Sequence, residues 1–170
     1  MRRFFGRSAI GTRANLRVKS VRSQNLTLIA AMSSQKVWTT EVHEGSVNQH
    51  IFSEYLSHLF LDLQLSGIEK AVIIMDNVRF HKTDYILNLV AETDHTILFL
   101  PPYSPFLNPI EELFNQLKSM VKHKKPNSMN ELINAIKACP NEVTINQCQN
   151  YCNHSESYFL RCLNNEIIEN

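Results

Sequence analysis

The sequence predicts an α/β domain: a mixed sheet flanked by helices, with a small helical tail at the C-terminal end. Three observations carry that reading. Ala71-Val72-Ile73-Ile74-Met75 and Thr96-Ile97-Leu98-Phe99-Leu100 are short, almost unbroken apolar runs, the pattern of strands buried in a parallel sheet. The stretches 46–65 and 110–123 carry apolar residues at helical rather than alternating spacing. The elements follow one another as strand, strand, helix, strand, helix, strand, helix, the order of a layered α/β domain with helices on both faces.

Each element has its own signal. Residues 24–32 read as a mostly buried strand, 33–36 as a turn and 37–42 as an alternating second strand, together a hairpin. In 46–65 the apolar positions are 47, 51, 52, 55, 56, 59, 60 and 63, with Ser46 as the expected N-cap and Gly67 just past the end. Residues 71–75 form the next strand and lead into Asp76-Asn77. A short helix over 83–93 presents Leu87, Val90 and Ala91 as its apolar stripe, and 96–100 is another buried strand. Pro101, Pro102 and Pro105 then force an extended, stiff loop. Pro109 suits the first turn of a helix over 110–123, apolar at 110, 113, 114, 117 and 121. From Ser128 the chain reads as two or three short helices, the first opened by a capping box of Ser128 and Glu131.

At 170 residues the chain can build one core without a covalent staple. Its 44% apolar and 19% charged residues exclude a disordered or low-complexity chain. No apolar run reaches the roughly 18–20 residues of a membrane span, and four cysteines are too few for a disulfide scaffold. An intracellular, reduced protein with no membrane partner is expected. The net charge of +1 is unevenly divided: residues 1–24 hold seven basic side chains and no acid, leaving 10 basic against 16 acidic side chains over 25–170. A basic arm on an acidic body points to a polyanion partner. A mitochondrial transit peptide has the same signature. The chain is thus expected to divide into an arm over 1–24, the sheet-bearing part over 25–125, and C-terminal helices of the same domain over 126–170.

Asp76 stands at the carboxyl end of a buried strand, where open α/β sheets place their ligands. Glu111 stands in the first turn of the helix that follows the strand 96–100, and the stiff proline loop should deliver it to the same sheet edge. Two carboxylates converging from rigid elements suit a divalent cation such as Mg²⁺ or Mn²⁺, which keeps waters and takes phosphate oxygens as further ligands. A pair of such ions can activate water against a phosphodiester. The residues alone also allow a structural reading, because Glu111 and Glu112 favour a helix N-terminus through its dipole.

The surrounding residues are more specific. Met75-Asp76-Asn77, then His81, then Leu100-Pro101-Pro102-Tyr103-Ser104-Pro105, then Leu107-Asn108-Pro109-Ile110-Glu111, with Phe114 and Lys118 on the following helix, resemble the mariner superfamily of DDE transposases. The spacing from Asp76 to Glu111 agrees with one branch of that superfamily. The strong match runs over about 71–122. Weaker likeness lies in Gly6-Arg7-Ser8 with Gly11 and Ala14, in Leu28–Ser33, and in Tyr151, His154, Tyr158 and Cys162.

The resemblance implies a ribonuclease-H-like fold, three carboxylates holding two metal ions, and the cutting and joining of DNA in transposition. It makes Asp76 the second acid and Glu111 the third, both catalytic and both metal ligands, with Asn77, His81 and Asn108 as near-site support. Arg7, Arg13, Arg17 and Lys19 are the candidate DNA contacts, which position the duplex rather than read it; Lys118 and Lys122, toward the basic end of the Glu111 helix, either touch the DNA backbone too or complement the helix dipole. DNA is the implied partner, with a homodimer or a full-length transposase beside it. Nuclear action is expected in a eukaryotic source, and a cytoplasmic one otherwise.

One departure matters. In the family the first acid lies on the first strand, ahead of the Gly-Arg-Ser segment, and no Asp or Glu occurs here before Glu41. That strand is central, in the order 3-2-1-4-5, so a gap is expected between the strands 24–32 and 71–75. Removing a metal ligand should cost more than the 10–100-fold typical of its outer supports, so the isolated chain is expected to be inactive. The alternative is a non-catalytic module that binds nucleic acid or a transposase. Cys148, Cys152, His154 and Cys162 do not have a usual zinc spacing, and Cys148 and Cys152, on one helix face, read as small buried residues. His43, His50, His58 and His95 read as surface residues.

Overall fold

In the computed structural model, which describes residues 8–13 and 25–168, the hairpin comes first. Strands β1 (Leu26–Met32) and β2 (Val37–Glu44) pair antiparallel, with Leu28 opposite Val42 and a bulge between Ala30 and Met32. The turn closes through Ser33, whose N–H donates to the Lys36 carbonyl at 2.9 Å and whose Oγ accepts from Trp38 Nε1 at 3.1 Å. Alternation gives β1 two working faces: Ile29 and Ala31 pack to one side, Leu28 and Met32 to the other.

Helix α1 (Gln49–Leu65) buries Phe52, Tyr55, Leu56, Leu59, Phe60 and Leu63, the expected stripe. Its cap is Asn48 rather than Ser46: the Asn48 carboxamide accepts from the N–H groups of His50 and Ile51 at 2.9 and 3.1 Å. β2 runs on to Glu44 and Gly45 turns the chain with φ +88°, which moves the helix start beyond the reach of Ser46. At the other end Gly67 (φ +76°) donates to the Gln64 carbonyl and Ile68 to that of Leu63, each at 2.9 Å, a Schellman closure.

Strands β3 (Val72–Met75) and β4 (Thr96–Phe99) pair parallel, from Val72 opposite Thr96 to Met75 opposite Phe99. Helix α2 (Asp84–Ala91) joins them, and its buried residues are Ile86 and Val90. The expected Leu87 and Ala91 are exposed, because so short a helix has too few turns to fix the phase of its stripe from sequence. Helices α1 and α2 together cover Ile29, Ala31, Trp38, Ile73, Met75, Ile97 and Phe99.

Helix α3 (Ile110–Lys124) covers the opposite face, but only over the hairpin. Its Leu113 and Leu117 are buried with Cys139 against Leu28, Met32 and Val37. Over β3 and β4 that face is open among the described residues: Val72, Ile74 and Leu98 are 61%, 51% and 52% exposed. Those strands are therefore not buried on both sides as their unbroken apolar runs predict.

Among the described residues the sheet falls into two pairs, β1 with β2 and β3 with β4. The free edges of β1 and β3 line one groove of about 870 Å³, bounded also by α1 and by the start of α3. This is the gap expected between the first and third strands of the chain.

The tail is α4 (Met129–Ala138), α5 (Ile145–Glu156) and α6 (Phe159–Leu163). Ser128 Oγ accepts from Glu131 N–H at 3.2 Å, while the Glu131 carboxylate reaches past it to the N–H of Asn127 at 2.7 Å. Thr144 and Gln147 make a complete capping box on α5. Thr144→Ala is expected to lower stability by about 1 kcal/mol, read as a shifted urea midpoint at unchanged slope.

Candidate active site

Parallel pairing decides where the acids go. β3 and β4 end side by side, and Leu100 N–H still donates to the Met75 carbonyl at 2.9 Å beyond the last ladder pair. Asp76 and Asn77 therefore leave β3 at the same edge where Pro101 and Pro102 leave β4. The loop returns through a short 3-10 turn (Pro105–Leu107) and hands over to α3 at Asn108-Pro109. Asn108 makes that joint: its Oδ1 accepts from Ile110 N–H at 3.4 Å and its carbonyl from Glu111 N–H at 3.1 Å. Asp76, Asn77, Tyr103, Asn108 and Glu111 line one cavity of about 450 Å³. Asp76 and Glu111 also line the larger groove between the sheet halves. The sequence-predicted pair thus lines the same cavity, although a helix, a strand and the proline loop separate the two acids along the chain.

His81 holds Asp76. Its Nδ1 lies 2.9 Å from Asp76 Oδ1, and Val78 N–H donates to the same oxygen at 3.4 Å. The imidazole is packed between two rings, stacked on Phe52 at 4.3 Å and edge-on to Phe80 at 4.4 Å. Burial pushes its pKa below the ordinary imidazole value, and the Asp76 carboxylate only partly offsets this. At neutral pH the ring is therefore uncharged, with its Nδ1–H donated to the carboxylate, an arrangement that orients Asp76 without neutralising it.

The sign of the resulting pH dependence follows. A histidine with a lowered folded pKa binds its proton more readily in the unfolded chain. Stability contributed by the neutral ring is complete above the unfolded value of about 6.5 and is lost as pH falls below it. Melting in a chelating buffer is expected to show a lower midpoint at pH 5.5 than at pH 7.5. His81→Gln should flatten that slope, and an equal slope in the variant would remove His81 as its source.

The remaining predicted residues divide. Lys118 and Lys122 are exposed on α3 and form no ion pair among the described residues. At about 1.5 Å per residue they lie about 10 and 16 Å along the axis from Glu111. Arg13 is exposed, in the turn over 8–13. Arg7, Arg17 and Lys19 lie outside the described residues. Of the histidines read as surface residues, His95 is half-buried: its Nδ1 accepts from Ala71 N–H at 3.2 Å and its ring lies 4.7 Å from that of Phe60. His43 is half-buried too, 3.1 Å from Glu41. Cys148 is fully buried, whereas Cys152 and Cys162 are only partly so.

Sequence reasoning missed the contacts that fix α5 against the site helix. His154 Nδ1 lies 3.0 Å from Glu112, and Tyr151 Oη donates to Gln116. Both pairs join residues far apart in the chain, which no local pattern announces.

Asp76 and Glu111 offer oxygen ligands only, which suits Mg²⁺ or Mn²⁺ completed by water and phosphate oxygens. Among the described residues no third ligating side chain joins them. The family profile of the DDE superfamily endonucleases matches residues 1–133, which includes both acids and the joint at Asn108. The chain belongs to this family.

Among solved structures, the Mos1 mariner paired-end complex with Mn aligns with a TM-score of 0.82 at 16% identity, over 99% of this chain and 52% of that one. A pre-cleavage Mos1 transpososome aligns at 0.82 and 14% identity, over 99% and 53%. The Mos1 transposase catalytic domain with raltegravir and Mg aligns at 0.74 and 16%, over 84% and 76%. This DDE chain therefore has the ribonuclease-H-like α/β fold of those catalytic domains, and it spans about half the length of the longer Mos1 chains. A comparison with curated proteins finds no match.

Proposed function

We propose that the chain is a piece of a transposase catalytic domain, acting on DNA phosphodiesters at Asp76 and Glu111. The observation that carries this is that Asp76 and Glu111 line one cavity at the carboxyl ends of two parallel strands. A divalent cation held there would supply Lewis acidity and a more acidic bound water. Asp76 and Glu111 would hold it. His81 fixes the orientation of Asp76, and Asn108 sets the start of the helix that presents Glu111. Lys118 and Lys122 place positive charge along the same helix for a phosphate backbone, and Arg7, Arg13, Arg17 and Lys19 add the charge of the arm. The solved relatives support the metal and the ligand: one is a complex with Mn, one a catalytic domain with Mg, and one a complex with a transposon end.

A third carboxylate would fit this reading if a strand carrying it lay along the groove between β1 and β3, whose facing edges are unpaired among the described residues. The test is nicking of supercoiled DNA in Mg²⁺ or Mn²⁺. The 170-residue chain alone is expected to leave the plasmid intact. The same chain fused to an upstream extended segment carrying one Asp should nick it. Nicking by the chain alone, abolished by Asp76→Ala, would show that another carboxylate of this chain completes the site. A fused, folded protein that still fails to nick or bind DNA would overturn the reading.

A further inference from the structure

We propose that Tyr103 is a stacking platform for a nucleobase of the DNA strand held at Asp76 and Glu111, a proposal that rests on the DNA reading above. Tyr103 sits in the stiff segment Pro101-Pro102-Tyr103-Ser104-Pro105, with φ +58°. That left-handed conformation crowds any side chain with a Cβ, and glycine adopts it without strain. A residue kept there normally recovers the strain by packing. Tyr103 does not: it is 98% exposed. Phe106, three positions on, shows the contrast, since its ring lies 5.2 Å from that of Tyr158. The Tyr103 ring therefore contributes little to the fold, and the residue lines the cavity that holds both acids.

Strain retained at a site with no packing return points to a ligand. The cavity specifies which kind. Its carboxylates call for a cation and a phosphate oxygen, and a flat ring beside a phosphate matches the π-face of the adjoining base. Stacking needs no particular base, so the residue would position the strand without selecting sequence.

The test uses the 170-residue chain and short single-stranded oligonucleotides carrying 2-aminopurine at successive positions, in Ca²⁺ so that the strand stays intact. Binding should quench the probe at one or two adjacent positions. Tyr103→Phe should retain both quenching and affinity. Tyr103→Ala and Tyr103→Gly should lose the quenching and bind about tenfold more weakly. Tyr103→Gly should melt no earlier than the parent chain, because it relieves the backbone. Unchanged quenching and affinity in Tyr103→Ala would overturn the stacking role while leaving DNA binding standing. An earlier melt of Tyr103→Gly would assign the ring to the fold and overturn it too. A parent chain that binds none of the oligonucleotides would remove the DNA reading and the stacking role together.

Discussion

Asp76→Asn, made in the protein completed by a strand-borne acid, is expected to lower metal-dependent DNA cleavage by about a thousandfold or more, and Glu111→Gln by a similar factor. Removing a ligand from a cation that stabilises transition-state charge forfeits several kcal/mol. Each loss of about 1.4 kcal/mol is a factor of ten in rate. Neither change should disturb the fold. Both side chains are exposed, and the only side-chain partner either has among the described residues is His81, against Asp76. His81→Gln should fall between these and the parent, at about 10–100-fold, because it alters the support of a ligand rather than the ligand. Cleavage rates measured at saturating Mn²⁺, with circular dichroism on each variant, decide the matter. Cleavage by Asp76→Asn within tenfold of the parent would remove Asp76 from the chemistry.

How much of this was legible in the sequence depends on the range of the interaction concerned. The placement of Asp76 and Glu111 at one sheet edge was readable because each sits at the end of an element with a strong local pattern, and because parallel pairing brings such ends together. The stripe of α3, the hairpin and the Gly67 closure were readable for the same reason. The cap of α1 was misplaced because Ser46 and Asn48 are both good capping residues, and only the length of β2 chooses between them. The exposure of Val72, Ile74 and Leu98 was hidden, since an apolar run does not say which neighbours are there to cover it. The ring stack that fixes His81 was also hidden, because Phe52 comes from α1, on the far side of β3 in the chain. The basic arm lies largely outside the described residues, so its charges stand as the sequence presents them.

Leu113→Ala should be among the most destabilising single changes in the chain. Leu113 is completely buried, two positions after Glu111, and packs with Leu117 and Cys139 between α3 and the hairpin. Truncating it loses the transfer free energy of the removed carbons and leaves a hole that rigid neighbours on two sides cannot close, about 2–5 kcal/mol. Against a domain stability of about 5–15 kcal/mol that is a large fraction. Leu113→Met, similar in volume, should cost under about 1.5 kcal/mol. Leu61→Ala, at a position half exposed on α1, should change little. Urea titrations of the three variants at one temperature would show the order, with the slope unchanged if the unfolded state is the same. Leu113 also supports the first turn of α3, so the Ala variant should weaken Mn²⁺ binding even where the chain remains folded, whereas Leu61→Ala should not. A folded Leu113→Ala protein with parental metal affinity would show that the proline loop and Asn108, rather than the packing beneath α3, hold Glu111 in place.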